Sequence, residues 1–93
     1  MKHRSATTII AQILGLASQR ISKSRIMYGA FLSHQQVQLY LQILMERGLI
    51  AKEKTSNAYK TTNKGMQFLE LHRQMEEFLP NLVWRNDNIV ASP

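Results

Sequence analysis

Ninety-three residues with 44% hydrophobic content suit one small domain with its own core and are too few for two. The chain has no cysteine, which excludes disulfides, thiol catalysis and the common Cys-containing zinc sites and points to an intracellular setting. The net charge of +6 is uneven: residues 1–60 carry nine Lys or Arg against two Glu, residues 61–93 three against four acidic side chains. A basic surface confined to the first two thirds points to a polyanion partner, nucleic acid ahead of an anionic membrane, with an idle solvated face as the competing reading.

The opening "MKHRSATT" is basic, but the apolar stretch after it is amphipathic and lacks a cleavage motif, so it reads as a structural helix. The longest apolar clusters, "IIAQILGLA" and "LYLQILM", are broken by glutamine and fall far short of the roughly 20 residues that span a bilayer. The chain reads as soluble and unprocessed.

Apolar spacing at Ile9, Ile10, Ile13 and Leu14 predicts a first helix over residues 5–17, with Ser5 as N-cap. "SQRISK" is a polar connection, and Ser24 is expected to cap a short second helix over 25–30 with Ile26, Met27 and Ala30 facing inward. The third helix, 34–47, has the fullest local signature. Ser33 and Gln36 have capping-box spacing, Leu32 and Val37 that of a hydrophobic staple, and Gly48 supplies the stop. Alternation in "LIAKEKTSNAYKTT" around a Thr-Ser-Asn turn predicts a β-hairpin. Thr62 is placed to cap a fourth helix that runs to Leu79 and is ended by Pro80, with Gly65 a weak point in its first turn. The predicted fold is mainly α with a small β-hairpin: a winged helix-turn-helix plus C-terminal helix over 1–79, then a C-terminal tail over 80–93.

On a helical wheel, Val37, Tyr40, Leu41 and Leu44 gather on one side of the third helix, widened by Leu39 and Ile43, while His34, Gln35, Gln38, Gln42 and Glu46 fill the other. Glutamine donates and accepts at once, so it can pair bidentately with adenine in the major groove or bond a phosphate, where lysine adds only charge. The candidate base-reading set is therefore Ser33, His34, Gln35 and Gln38, with Gln42 further along; the plainer alternative is a wet helix face made of good helix formers. Lys52 and Lys54 are expected on one face of the first hairpin strand, with Lys60 across from them, as a grip on the DNA backbone. Lysines guarding a sheet edge from aggregation are the competing reading. Arg4, Lys23 and Arg25 are further candidates for phosphate contact.

Phe68, Leu71, Met75 and Phe78 recur at coiled-coil seam spacing on the fourth helix, and Leu82 and Trp84 follow in the tail; together they are the candidate homodimer interface. The three histidines are scattered without ligand spacing, and no Gly-rich phosphate loop or Ser/His/acid set is present. Neither a metal, a cofactor, a small-molecule ligand nor enzyme chemistry is suggested.

"SRIMYGAFLSHQQVQLYLQILMERGLI", followed by "AYKTTNKGMQFLE", resembles the small archaeal winged-helix DNA-binding proteins of the Sulfolobus chromatin-protein type and related archaeal winged-helix transcriptional regulators. The resemblance spans residues 5–79 and implies DNA binding through the third helix and wing, and homodimers joined by the last helix. Phe31 stands where the pattern often has asparagine, and Pro80 cuts short a helix that is longer in the chromatin-type relatives. The expectation is a dimeric, cytoplasmic, nucleoid-associated protein that binds double-stranded DNA as a regulator. An architectural chromatin protein and a winged-helix protein-interaction module are the alternatives.

Overall fold

A computed structural model describes residues 4–78, 82–85 and 88–91, the last two segments by their backbone pairing. Helix α1 (Ala6–Leu16) starts at Ser5, whose backbone is extended and whose Oγ accepts the Thr8 amide hydrogen bond at 3.2 Å. Its Ile9, Ile13 and Leu14 face the core. Helix α2 (Lys23–Gly29) begins two residues earlier than its serines suggested: Ser22, not Ser24, is the N-cap, accepting from the Arg25 amide at 3.3 Å. The reason is non-local. Ile21 pairs with Tyr59, its N–H donating to the Tyr59 carbonyl at 3.1 Å and its carbonyl accepting from the Tyr59 N–H at 2.8 Å, so the extended chain ends there and the helix starts at once.

Helix α3 (His34–Glu46) carries the expected capping box: Ser33 Oγ accepts from the Gln36 amide at 3.1 Å, and Gln36 Oε1 accepts from the Ser33 amide at 2.9 Å. The staple residues Leu32 and Val37 are both buried. Val37, Leu41 and Leu44 pack on Ile13, Leu14, Ile26 and Ala30. Leu39 and Ile43, expected to widen this apolar side, are instead 58% and 40% exposed, so the buried arc of α3 is the narrower one.

Helices α2 and α3 end alike. After α3, Gly48 at φ +73° lets its own amide reach the Met45 carbonyl and the Leu49 amide reach that of Leu44. After α2, Phe31 takes the same role at φ +56°, with its amide on Tyr28 and the Leu32 amide on Met27. Both are Schellman closures, in which a left-handed residue folds the chain back over the last carbonyls. Glycine adopts that conformation freely; phenylalanine incurs a steric cost of about 1 kcal/mol, which is why asparagine suits this position.

Strands β1 (Ile50–Lys52) and β2 (Tyr59–Thr61) form the antiparallel wing, with Ile50 opposite Thr61, Ala51 opposite Lys60 and Lys52 opposite Tyr59. Thr61 fastens it to α1: its amide donates to the Ala17 carbonyl and its buried hydroxyl to that of Leu14, at 2.8 and 2.7 Å. Helix α4 (Asn63–Phe78) is capped by Thr62, whose Oγ1 accepts from the Gly65 amide at 3.1 Å and donates to the Gly48 carbonyl at 2.6 Å. Gly65 is not a weakness but a requirement: a Cβ there would lie 2.2 Å from the Leu49 carbonyl oxygen and 2.5 Å from Thr61 Cγ2. Leu79 and Pro80, expected to end this helix, lie outside the described residues. The tail is more regular than its sequence suggested, because β3 (Leu82–Arg85) and β4 (Asn88–Ala91) pair antiparallel as a second hairpin.

Urea denaturation of glycine and left-handed-residue variants checks these closures. Gly65→Ala is expected to cost about 3 kcal/mol by overpacking, while Gly15→Ala, with nothing within 4 Å of the new Cβ, should gain about 0.5–1 kcal/mol. Phe31→Gly should stabilise by about 1 kcal/mol, since the ring it removes is 81% exposed and the backbone strain it relieves is not offset by packing.

Candidate nucleic-acid interface

The capping box and the buried stripe orient α3 so that His34, Gln35, Gln38, Leu39 and Gln42 share one open concave surface. Beside it runs a groove walled by Lys23 from α2, Gln38, Gln42 and Met45 from α3, and Lys52 from the wing, with Leu41 and Tyr59 at its floor. The tertiary structure thus brings together amides from one helix with cations from two other elements. Gln36 is occupied by the capping box, and the Ser33 oxygen is already an acceptor there, leaving that residue a hydroxyl hydrogen to donate.

The cations divide into three groups. Lys52 and Lys23 face the groove, with Lys52 Nζ 5.9 Å from the centre of the Tyr59 ring and Lys23 Nζ donating to Gln38 Oε1 at 2.7 Å. Lys54 and Arg25 are exposed, but Lys54 lies in the wing turn, not on β1, which ends at Lys52. Arg4 and Lys60 are engaged elsewhere. The Arg4 guanidinium donates to the Ala30 and Phe31 carbonyls at 2.6 and 3.1 Å, clamping the strained end of α2. Lys60 is paired with Ala51, not Lys52, so it points from the opposite face of the wing and its Nζ reaches the Ser18 carbonyl at 3.2 Å. The expectation that Lys60 lies across from Lys52 and Lys54 is corrected by this register, which sets it opposite Ala51.

On the far side, Arg73 bonds both Glu70 and Glu77 along α4. The Arg73 hydrogen bond, helped by Gln74, holds the Glu70 carboxyl below its ordinary pKa, and Glu70 in turn pushes the Arg73 guanidinium up. Two of the three carboxylates of α4, Glu70 and Glu77, are therefore paired with one arginine. Arg20 and Glu53 form an ion pair at 2.7 Å that braces the wing against the segment before α2.

Four residues of this surface were not singled out by sequence. Met45 sits on the wheel next to Gln38 and was legible there; Leu39 was assigned to the apolar side of the third helix, and Tyr59 was read only as part of the wing hairpin. Asn57, left-handed at φ +54° in the wing turn, shares a shallow concavity with Ser22, Lys23 and His34. Its turn role was visible in sequence, but its approach to α2 was not. Among the described residues no helix is long and apolar enough to cross a membrane, and no cluster of His, Asp or Glu is arranged to hold a metal ion.

This arrangement of three helices, a wing and an amide-rich third helix has a match in a known family, whose winged helix-turn-helix profile covers residues 3–79. The chain belongs to the winged helix-turn-helix family. No curated protein matches the sequence closely enough to count. Among solved structures, the winged helix-turn-helix chain is similar to Sso10a-2, a DNA-binding protein from Sulfolobus solfataricus, at 22% identity and TM-score 0.73, covering 81% of each chain. It is similar to a mutant of Lactococcus lactis ZitR at 23% identity and TM-score 0.64, covering 84% of this chain and 60% of that one. A third, Pseudomonas aeruginosa HmgR, shares 20% identity at TM-score 0.59 over 89% of this chain and 42% of its own. At these identities the likeness is one of fold.

Within this winged helix-turn-helix, the wing's two faces give a direct test of where a duplex sits. Lys52→Ala is expected to weaken duplex binding about equally for all sequences and to lower the salt slope by about one, while Lys60→Ala should leave both nearly unchanged. Anisotropy titrations of both variants at several salt concentrations check this.

Proposed function

We propose that this protein binds double-stranded DNA, with α3 in the major groove and the Lys52 face and Lys54 turn of the wing on the flanking backbone, and that it acts as a transcriptional regulator. The observation that carries the reading is the convergence of Gln35, Gln38 and Gln42 on one exposed face, bracketed by Lys23 and Lys52 from separate elements. A helix of 13 residues is about 20 Å long, so its exposed face can enter a groove about 12 Å wide while the Val37, Leu41 and Leu44 stripe stays packed in the core. Amides add hydrogen-bond discrimination that a purely cationic face lacks, which favours regulation over general compaction. Sso10a-2, which shares the fold, is a DNA-binding protein, in keeping with this reading. A cytoplasmic, nucleoid-associated location goes with it.

We further propose a homodimer built on α4. Leu71, Met75 and Phe78 are 65%, 49% and 85% exposed at seam spacing, an apolar stripe that the domain itself does not cover. Phe68, expected in the same seam, is half-buried against the domain's own core and stacks near His72, so the seam begins one turn later. The side chains of Leu82 and Trp84 lie outside the described residues.

With about four to six phosphate contacts per protomer, duplex affinity should fall by about a hundredfold or more between roughly 50 and 200 mM salt. At a selected preferred site, Gln35→Ala is expected to cost about 1–3 kcal/mol and to leave unrelated duplexes unaffected. A sharp motif in genome-wide selection of bound DNA supports a regulator; a diffuse profile supports an architectural protein. For the dimer, sedimentation should give twice the chain mass for the intact protein and the single mass for Phe78→Glu; a monomer in both refutes the α4 seam.

A further inference from the structure

Gln38 is not equivalent to the other two glutamines of the α3 face. Its Oε1 accepts a hydrogen bond from Lys23 Nζ at 2.7 Å, whereas the amides of Gln35 and Gln42 make no side-chain hydrogen bond among the described residues. Lysine carries only donors, so the amide atom that faces it is the oxygen. The Gln38 amide nitrogen is then left as the group with two hydrogens to offer. Lys23 is itself half-buried as the first residue of α2, at the edge of the groove that Gln42, Lys52 and Tyr59 also line.

A bidentate contact to adenine needs the glutamine oxygen to accept from the N6 amino group while the nitrogen donates to N7. With Lys23 on the oxygen, an adenine amino group would arrive beside a second donor that carries a full positive charge. Guanine presents N7 and O6, two acceptors side by side, which suit an amide N–H and a neighbouring ammonium. Phosphate does not undo the couple, because Nζ has three hydrogens and can hold the Gln38 oxygen and a phosphate oxygen together.

Resting on the DNA-binding reading above, we propose that Lys23 is a specificity-determining residue that acts through Gln38: it takes one of the two lone pairs of the amide oxygen, sets a positive charge where an adenine amino group would have to arrive at the other, and so directs that position to guanine. Gln35 and Gln42 make no such bond to a lysine and are left for adenine. Lys23 thereby links a backbone contact to a base contact, so the two form together.

The test is selection from randomised duplexes at about 50 mM salt by the full chain and by Gln38→Ala, Gln35→Ala, Lys23→Met and Lys23→Arg. The base pair whose preference disappears in Gln38→Ala is the one Gln38 reads. The expected result is guanine at that pair for the intact protein, a shift of about tenfold towards adenine in Lys23→Met, and retention of guanine in Lys23→Arg. The pair lost in Gln35→Ala should be unchanged by both Lys23 variants. Adenine at the Gln38 pair in the intact protein overturns the proposal, and so does a Lys23→Met profile that is weaker throughout but unaltered in preference. Duplex binding with no preference removed by Gln38→Ala overturns it too while leaving DNA binding intact. Absence of duplex binding by the intact protein removes both readings. Thermal melting of Lys23→Met, whose side chain keeps its stem, separates lost reading from lost folding.

Discussion

The geometry of this molecule depends on a two-hydrogen-bond bridge between Ile21 and Tyr59. It ends the extended segment after α1 and so sets where α2 begins. It also holds Tyr59 beneath Lys52, since Tyr59 is at the same time the register partner of that lysine in the wing. Tyr59 is thus fixed between two neighbours, its ring buried, its backbone amide and carbonyl both bonded to Ile21 and its other edge facing Lys52 across the wing. The groove between α2, α3 and the wing has Lys23 on one wall and Lys52 on another because of that bridge. Without it, α2 could start at Ser24, and Lys23 would lie in a loop without a fixed relation to Gln38.

The remaining supports act in the same sense. Thr61 commits its amide to the carbonyl of Ala17, the C-cap of α1, and its hydroxyl to that of Leu14 in the last turn, which satisfies polar groups that burial would otherwise leave at a cost of about 1–3 kcal/mol each. Gly65 allows α4 to pass against Leu49 and Thr61 at a distance that excludes any side chain. The wing is therefore held at its base by α1 and α4 and braced near its tip by the Arg20 and Glu53 pair. A wing anchored in this way presents Lys52 at a set height above α3, whereas a loose hairpin would lose ordering entropy on binding. Phe31 is the counter-example: a residue poorly suited to its backbone, held in place by the Arg4 clamp and by the packing of Ala30 and Leu32 on either side.

Much of this was legible in local sequence. The capping box, the staple, the Gly48 stop and the wing turn are short-range signals, and each element they mark is present with nearly the expected bounds. What sequence left open were facts of register and neighbourhood. Ser22 and Ser24 are equally good caps in isolation. Lys52 and Lys60 look like one basic patch until the Ala51 to Lys60 pairing puts them on opposite faces. Arg4 reads as a free cation until α2 ends within its reach. Leu39 and Ile43 read as core on a wheel, but the domain has nothing to cover them with.

The amino-acid sequence by itself determined the order of elements, the helix starts at Ser5 and Ser33, the polar amide face of α3 and the segregation of positive charge, because these rest on contacts within a few residues or on composition. Only the tertiary structure decided which cations join that face. The bridge at Tyr59 brings Lys23 to Gln38 across 15 residues of chain, and the wing register selects Lys52 over Lys60. Side-chain function here follows from which backbone carbonyls and amides are already paired, and that pairing is a property of the folded chain.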